Sequence, residues 1–112
     1  MTSTRQNKVA RLIQKELGDI FQRESKVLFK GKMISVTVVR ITADLGLARI
    51  YLSVFPVDKN EDPLIDVREN ATRLRHELGN RTRHQLRIVP ELVFLIDDSL
   101  DYVENIERLL KK

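Results

Sequence analysis

The sequence predicts an α+β domain whose elements run helix, strand, strand, helix region, strand, helix. Three observations predict it. Two stretches repeat apolar residues at helical spacing, near the start and in residues 64–86. Two adjoining stretches, MISVTVVRIT and LARIYLSVF, are β-branched or strictly alternating, and the run LVFLI after Pro90 is short, unbroken and suited to a buried strand. A helical region therefore leads directly into the sheet.

At 112 residues the chain has room for one core and one domain, 1–112, with its body at about 4–97. A hydrophobic content of 42% supports a packed globule rather than disorder. The absence of Cys excludes disulfides and thiolate metal sites and fits a reducing, cytoplasmic setting. The opening MTSTRQNKVAR lacks the apolar core of a secretory signal, and no apolar run is long enough to cross a bilayer, so no membrane role is expected.

The first helix is expected to start at Ser3, because Ser3 with Gln6 three places on forms a capping-box pattern. Val9, Leu12, Ile13, Leu17, Ile20 and Phe21 share one face, and the pattern ends near Glu24. SKVLFKGK then reads as a loop. In the first strand Ile34, Val36 and Val38 alternate before the phase shifts to Val39 and Ile41, which a bulge or a strand covered on both faces explains. ADLG is a turn, so the second strand pairs antiparallel with Ala48, Ile50, Leu52 and Val54 inward. Tyr51 and Phe55 face outward, where packing against a loop or helix is a simpler role than base stacking. Asp62 is the expected cap of the next helix, with Pro63 at its first position. Apolar spacing permits one continuous helix over 63–86, weakened at Gly79. A short last helix, about 99–111, follows the third strand.

Charge is unevenly distributed. Residues 1–32 carry eight Lys or Arg against three acids and residues 68–90 six against two, whereas residues 33–67 and 91–112 are net acidic. Such blocks point to a polyanionic partner. Opposite the apolar stripe of residues 64–86, helical spacing gathers Arg73, His76, Asn80, Arg83, His84 and Arg87 on a face without acids. A solvated face is the commoner origin of a charge run. Here the lack of alternating signs at four-residue spacing favours binding. Lys8, Arg11 and Lys15 form a second stripe on the first helix, though Glu16 and Asp19 lie close enough to partner some of it. The expected RNA-binding set is therefore Lys8, Arg11, Lys15, Arg73, His76, Arg83, His84 and Arg87, with both stripes on one side of the molecule.

No catalytic or metal constellation is legible. His76 and His84 have no neighbouring ligand at metal spacing, and helix capping explains Asp97, Asp98 and Asp101 more simply than a cation site. The four glycines are too dispersed for a phosphate loop. No catalytic residue, metal or cofactor is expected.

LRIVPELVF with IDDSLDYVENIERLL, the opening RQNKVARLIQKELGDIF, and ITADLGLARIYLSV resemble the ribosome-binding factor A family, and the run from Pro90 to Ser99 is the most specific part. The resemblance implies a KH-like type II fold: helix-strand-strand-helix-(kink)-helix-strand, with a mixed three-stranded sheet. It also implies a non-enzymatic, cytoplasmic assembly factor that binds the small (30S) ribosomal subunit during late maturation of 16S rRNA and aids growth in the cold. The family lacks the GXXG loop of ordinary KH domains, as this chain does, and has an Ala-x-Gly kink instead. That kink would fall at Asn70, Ala71 and Thr72, where neither Ala nor Gly stands in its usual place.

Two further functions compete with RNA docking. One is a protein-interaction module without direct RNA binding, whose acidic C-terminal block meets a basic partner. The other is a small hydrolase using Asp97 to Asp101, which would need a metal and a pocket that nothing in the sequence indicates. A rigid RNA surface suits the two basic stripes better, and a monomer suffices for it.

Overall fold

The computed structural model describes residues 3–56, 60 and 62–97. Its elements are α1 (Thr4–Leu28), β1 (Met33–Ile41), β2 (Leu47–Phe55), α2 (Ile65–Glu69), α3 (Ala71–Thr82) and β3 (Glu91–Ile96). The sheet has the order β1-β2-β3, antiparallel between β1 and β2 and parallel between β2 and β3. This is the KH-like type II arrangement, kink included. The expected last helix, with Asp98 and Asp101, lies outside the described residues.

Helix α1 begins as its sequence dictates. Gln6 N–H donates to Ser3 Oγ at 3.1 Å while Ser3 N–H donates to Gln6 Oε1 at 2.8 Å, closing the capping box. The helix runs one turn beyond Glu24, because the residues after it still contribute to the core. Phe29 at the C-cap is fully buried, with its ring 5.4 Å from that of Phe21. The chain then turns through Gly31 at φ +79°, a conformation glycine adopts without a Cβ penalty, and Gly31 N–H returns to the Ser25 carbonyl at 2.7 Å.

In the β1/β2 ladder Val36 faces Leu52 and Val38 faces Tyr51, so Thr37 is the extra residue of a bulge. The bulge accounts for the phase shift. Ile34, Val36, Val39 and Ile41 point to the core side, whereas Val38 is turned outward and 37% exposed. The Thr37 hydroxyl donates to the Asp97 carboxylate and also lies within 3.2 Å of the Tyr51 carbonyl, linking the first strand to the end of the third. On β2 the alternation holds as expected, with Ala48, Ile50, Leu52 and Val54 all buried. The outer face of the sheet is uncovered among the described residues. Phe55 there is 70% exposed, which corrects the expectation that it packs against a neighbour; Tyr51 is half-buried.

The helical region is interrupted at Asn70. Its N–H is shared between the carbonyls of Asp66 and Val67, both at 3.2 Å, and its Nδ2 donates to Asp66 O at 2.8 Å. Asn70 takes φ −104° and ψ 13°, so the kink needs no left-handed residue and therefore no glycine. The start is also later than expected. Asp62 Oδ1 accepts from Leu64 N–H at 2.9 Å, making Asp62-Pro63-Leu64 a turn that precedes the first helical residue, Ile65.

Helix α3 ends at Thr82 rather than continuing to Leu86, because the chain must double back to enter β3. Val89 lies against α3 where Gly79 has no side chain; a Cβ there would meet Val89 Cγ2 at 3.3 Å. Arg75 holds the returning segment, donating to the carbonyls of Val89 at 2.7 Å and Pro90 at 3.2 Å. Gly79 is thus a point of close approach inside an intact helix.

The core joins Ile13, Leu17, Ile20 and Phe21 of α1, the inward residues of the sheet, and Leu64, Val67, Leu74 and Leu78 of the second helical region. Phe94 of β3 meets Phe21 edge-on at 6.3 Å. Because Leu78 is fully buried in this cluster, Leu78→Ala is expected to cost about 2 to 5 kcal/mol. Thermal and denaturant unfolding of the variant checks it.

Candidate nucleic-acid interface

Helices α1 and α3 lie side by side and antiparallel on one face of the sheet. Arg73 approaches Glu24 at 3.8 Å at one end of the seam, and farther along α3 Arg81 reaches back to Glu16 and Asp19. The Arg81 guanidinium donates to Asp19 at 2.6 Å and to Glu16 at 3.3 Å, and its side chain is only 25% exposed. Hydrogen bonding from Arg81, helped by the nearby charge of Arg23, holds the Asp19 carboxyl below its ordinary range. The same bonds raise the already high pKa of Arg81.

This tie changes the meaning of the α1 stripe. Glu16 and Asp19, which the sequence offers as partners for Lys8, Arg11 and Lys15, are instead engaged by Arg81 and Arg23. Among the described residues Lys8, Arg11 and Lys15 make no ion pair, and all three are exposed on the side of α1 opposite its buried stripe. Lys15 borders a shallow concavity together with Glu16, Asp19, Gln22 and Arg81, so the stripe runs up to the seam.

The second basic block divides differently from the helical-wheel expectation. Arg68 pairs with Asp62 at 2.6 Å, Arg75 binds backbone carbonyls, and Arg81 crosses to α1. Arg73 is not on an acid-free face: it pairs with Glu77 at 3.4 Å, at the four-residue spacing of a helical ion pair, and with Glu24 of α1. His76 is exposed on α3 with no acidic partner among the described residues. Arg83 is the C-cap of α3, and its Nε–H points to His84 Nε2 at 3.5 Å. His84 and Arg87 belong to the returning segment, because the helix stops at Thr82. Arg87 borders a cleft that Arg5 of α1 also lines. The structure thus brings the N-terminal half of α1 beside the end of α3 and the segment after it, while Arg73 stands at the far end of the seam.

Three groups escaped the sequence reading. Arg5 precedes Lys8 by three residues, so helical spacing alone would have added it to the α1 stripe. Arg81 was legible as a charge but not as a cross-helix tie, since its partners lie more than sixty positions away. Arg40 and Arg49 face one another across the hairpin on the outer side of the sheet; their adjacency depends on the register.

The chain matches the family model described as ribosome-binding factor A over residues 5–110. The chain belongs to the ribosome-binding factor A family. Family members similar to it include the ribosome-binding factor A of Cytophaga hutchinsonii, 46% identical over all of this chain and 84% of the relative, and that of Flavobacterium psychrophilum, 48% identical over 98% and 85%. Among solved structures, the crystal structure of the Thermus thermophilus ribosome-binding factor A superposes with TM-score 0.65 at 23% identity, covering 81% of this chain and 94% of that one. A homology model of the T. thermophilus factor, fitted into a cryo-EM map of a 30S complex, aligns with TM-score 0.61 at 25% identity over 78% and 89%. The fold carrying the seam is therefore the family's fold.

In this member of the ribosome-binding factor A family, Arg81→Gln is expected to lower stability by no more than about 1 kcal/mol, because the pairs it breaks are partly solvated. The effect has a pH signature. A carboxyl whose folded pKa is lowered contributes stability above its unfolded value and loses it as pH falls through the folded one. Melting temperature should therefore drop more steeply on acidification in the parent protein than in Arg81→Gln, and a pH series of melting curves checks it.

Proposed function

We propose that this protein binds the small ribosomal subunit during its late maturation, docking on folded 16S rRNA through phosphate contacts from the helix layer. The observation that carries the reading is the lack of any ion pair at Lys8, Arg11 and Lys15 among the described residues, their neighbouring acids being engaged by Arg81 and Arg23. Exposed cations along a rigid helix suit an RNA surface recognised by shape and backbone rather than by base sequence. Arg83 and Arg87, at the end of α3 and beyond it, extend the same footprint. The fit of the related T. thermophilus factor into a map of a 30S complex supports the choice of partner. In this reading the protein acts as an assembly factor in the cytoplasm, as a monomer and without catalysis.

Binding of this kind depends steeply on salt. If about six phosphates are neutralised, the log-log slope of affinity against salt should lie around −4 to −5, from roughly −0.7 to −0.9 per contact. Co-sedimentation with small subunits over a salt series measures it, and a flat response would favour an apolar protein partner instead. Arg83→Glu with Arg87→Glu should abolish co-sedimentation while the protein melts normally, since both side chains are exposed. Full binding by that variant would remove these two residues from the footprint.

A further inference from the structure

At the open end of the helix layer a cleft of about 290 Å³ lies between the first turn of α1, the β1–β2 turn and the segment entering β3. Val9 and Leu86 make its apolar floor, and Arg5 and Arg87 are its cations. Ile88 stands at its rim beside Arg87, with 77% of its surface exposed. Neither arginine has an acidic partner among the described residues. The cleft also holds one acid, Asp44, whose Oδ1 accepts from Thr42 Oγ at 2.7 Å and Gly46 N–H at 3.0 Å. Those two hydrogen bonds keep its carboxyl below the ordinary range, so it is charged at neutral pH.

We infer that this cleft takes a single unstacked nucleotide of the bound RNA, with its base against Ile88 and the apolar floor and its phosphate between Arg5 and Arg87. The inference rests on the phosphate-docking reading above and adds an apolar contact to it. At about 290 Å³ the cleft lies near the lower end of ordinary ligand pockets, roughly 300 Å³, which suits one nucleotide better than a longer segment. The charge pattern selects among anions. An acidic peptide would set its carboxylates beside Asp44, whereas a nucleotide brings a phosphate for the arginines together with base N–H donors that a carboxylate accepts. Proteins that bind unpaired RNA splay its bases onto aromatic rings or arginine planes, and in this cleft the arginine plane is supplied by Arg87 beside Ile88. The cleft is also continuous with the α1 stripe, since Arg5 lies one turn before Lys8.

The test is to titrate small ribosomal subunits with Ile88→Ser over a salt series, beside a Lys8→Gln, Arg11→Gln, Lys15→Gln variant. Ile88→Ser should melt like the parent and bind about five- to tenfold more weakly at every salt concentration, as expected for losing part of the apolar burial of one isoleucine side chain. Its salt slope should not change, because no cation is removed. The triple variant should instead show a shallower slope. Binding by Ile88→Ser equal to the parent's, with the triple variant behaving as expected, overturns the nucleotide cleft alone; a triple variant with unchanged affinity and slope overturns the phosphate-docking reading. A benzophenone amino acid placed at position 88 in the full complex is expected to photocrosslink to 16S rRNA, and an adduct with ribosomal protein only would also overturn the cleft assignment.

Discussion

Arg81 reaches from α3 to two carboxylates on α1, and most of what distinguishes the surface of this domain follows from that contact. The two helices already share a core through Leu17, Phe21, Leu74 and Leu78, so apolar burial brings them together. The hydrogen-bonded ion pairs add orientation. They fix how α1 and α3 sit along one another, and they withdraw Glu16 and Asp19 from the basic stripe beside them. A partly solvated ion pair of this kind contributes little stability. Its larger effect here is on the field outside the protein, because two acids that would dampen Lys15 and Arg11 are neutralised in place.

The second basic block illustrates why counting charges along a chain is an incomplete guide to binding. Four of its six arginines have structural engagements: with Asp62, with Glu24 and Glu77, with the carbonyls of residues 89 and 90, and with α1. Arg83 and Arg87 remain, together with the two histidines. Arg83, His84 and Arg87 sit where the chain leaves α3, next to the N-terminal half of α1, while His76 stays on the helix itself. The proposed footprint is consequently shorter than the helical wheel implied and lies nearer one end of the helix layer.

The kink shows how a family device survives a change of residues. An Ala-x-Gly kink uses residues with little or no side chain, but at Asn70 the backbone stays at negative φ and the amide side chain satisfies a carbonyl of the preceding turn. Gly79 does its work elsewhere, letting Val89 lie against α3 while Arg75 secures the return into β3. A glycine that looks like a weak point in a helix is in this fold a contact surface.

Sequence by itself determined the class of fold, the order of the described elements, the capped start of α1, the inward face of β2 and most of the core, though not Phe29, which reads as part of a loop. Those features depend on periodicity and local hydrogen bonding, which act over a few residues and leave a pattern in the chain. The β1 phase shift was legible as well, although only the register identified Thr37 as the extra residue. Tertiary structure decided the rest: the break at Asn70, the early end of α3, the late start at Ile65, and above all which charges are paired. Arg81 meets acids more than sixty residues away, and Arg5 and Arg87 meet at one cleft from distant parts of the chain. No local pattern records such encounters, because they arise only when packing of the core has brought α1 and α3 to a common face.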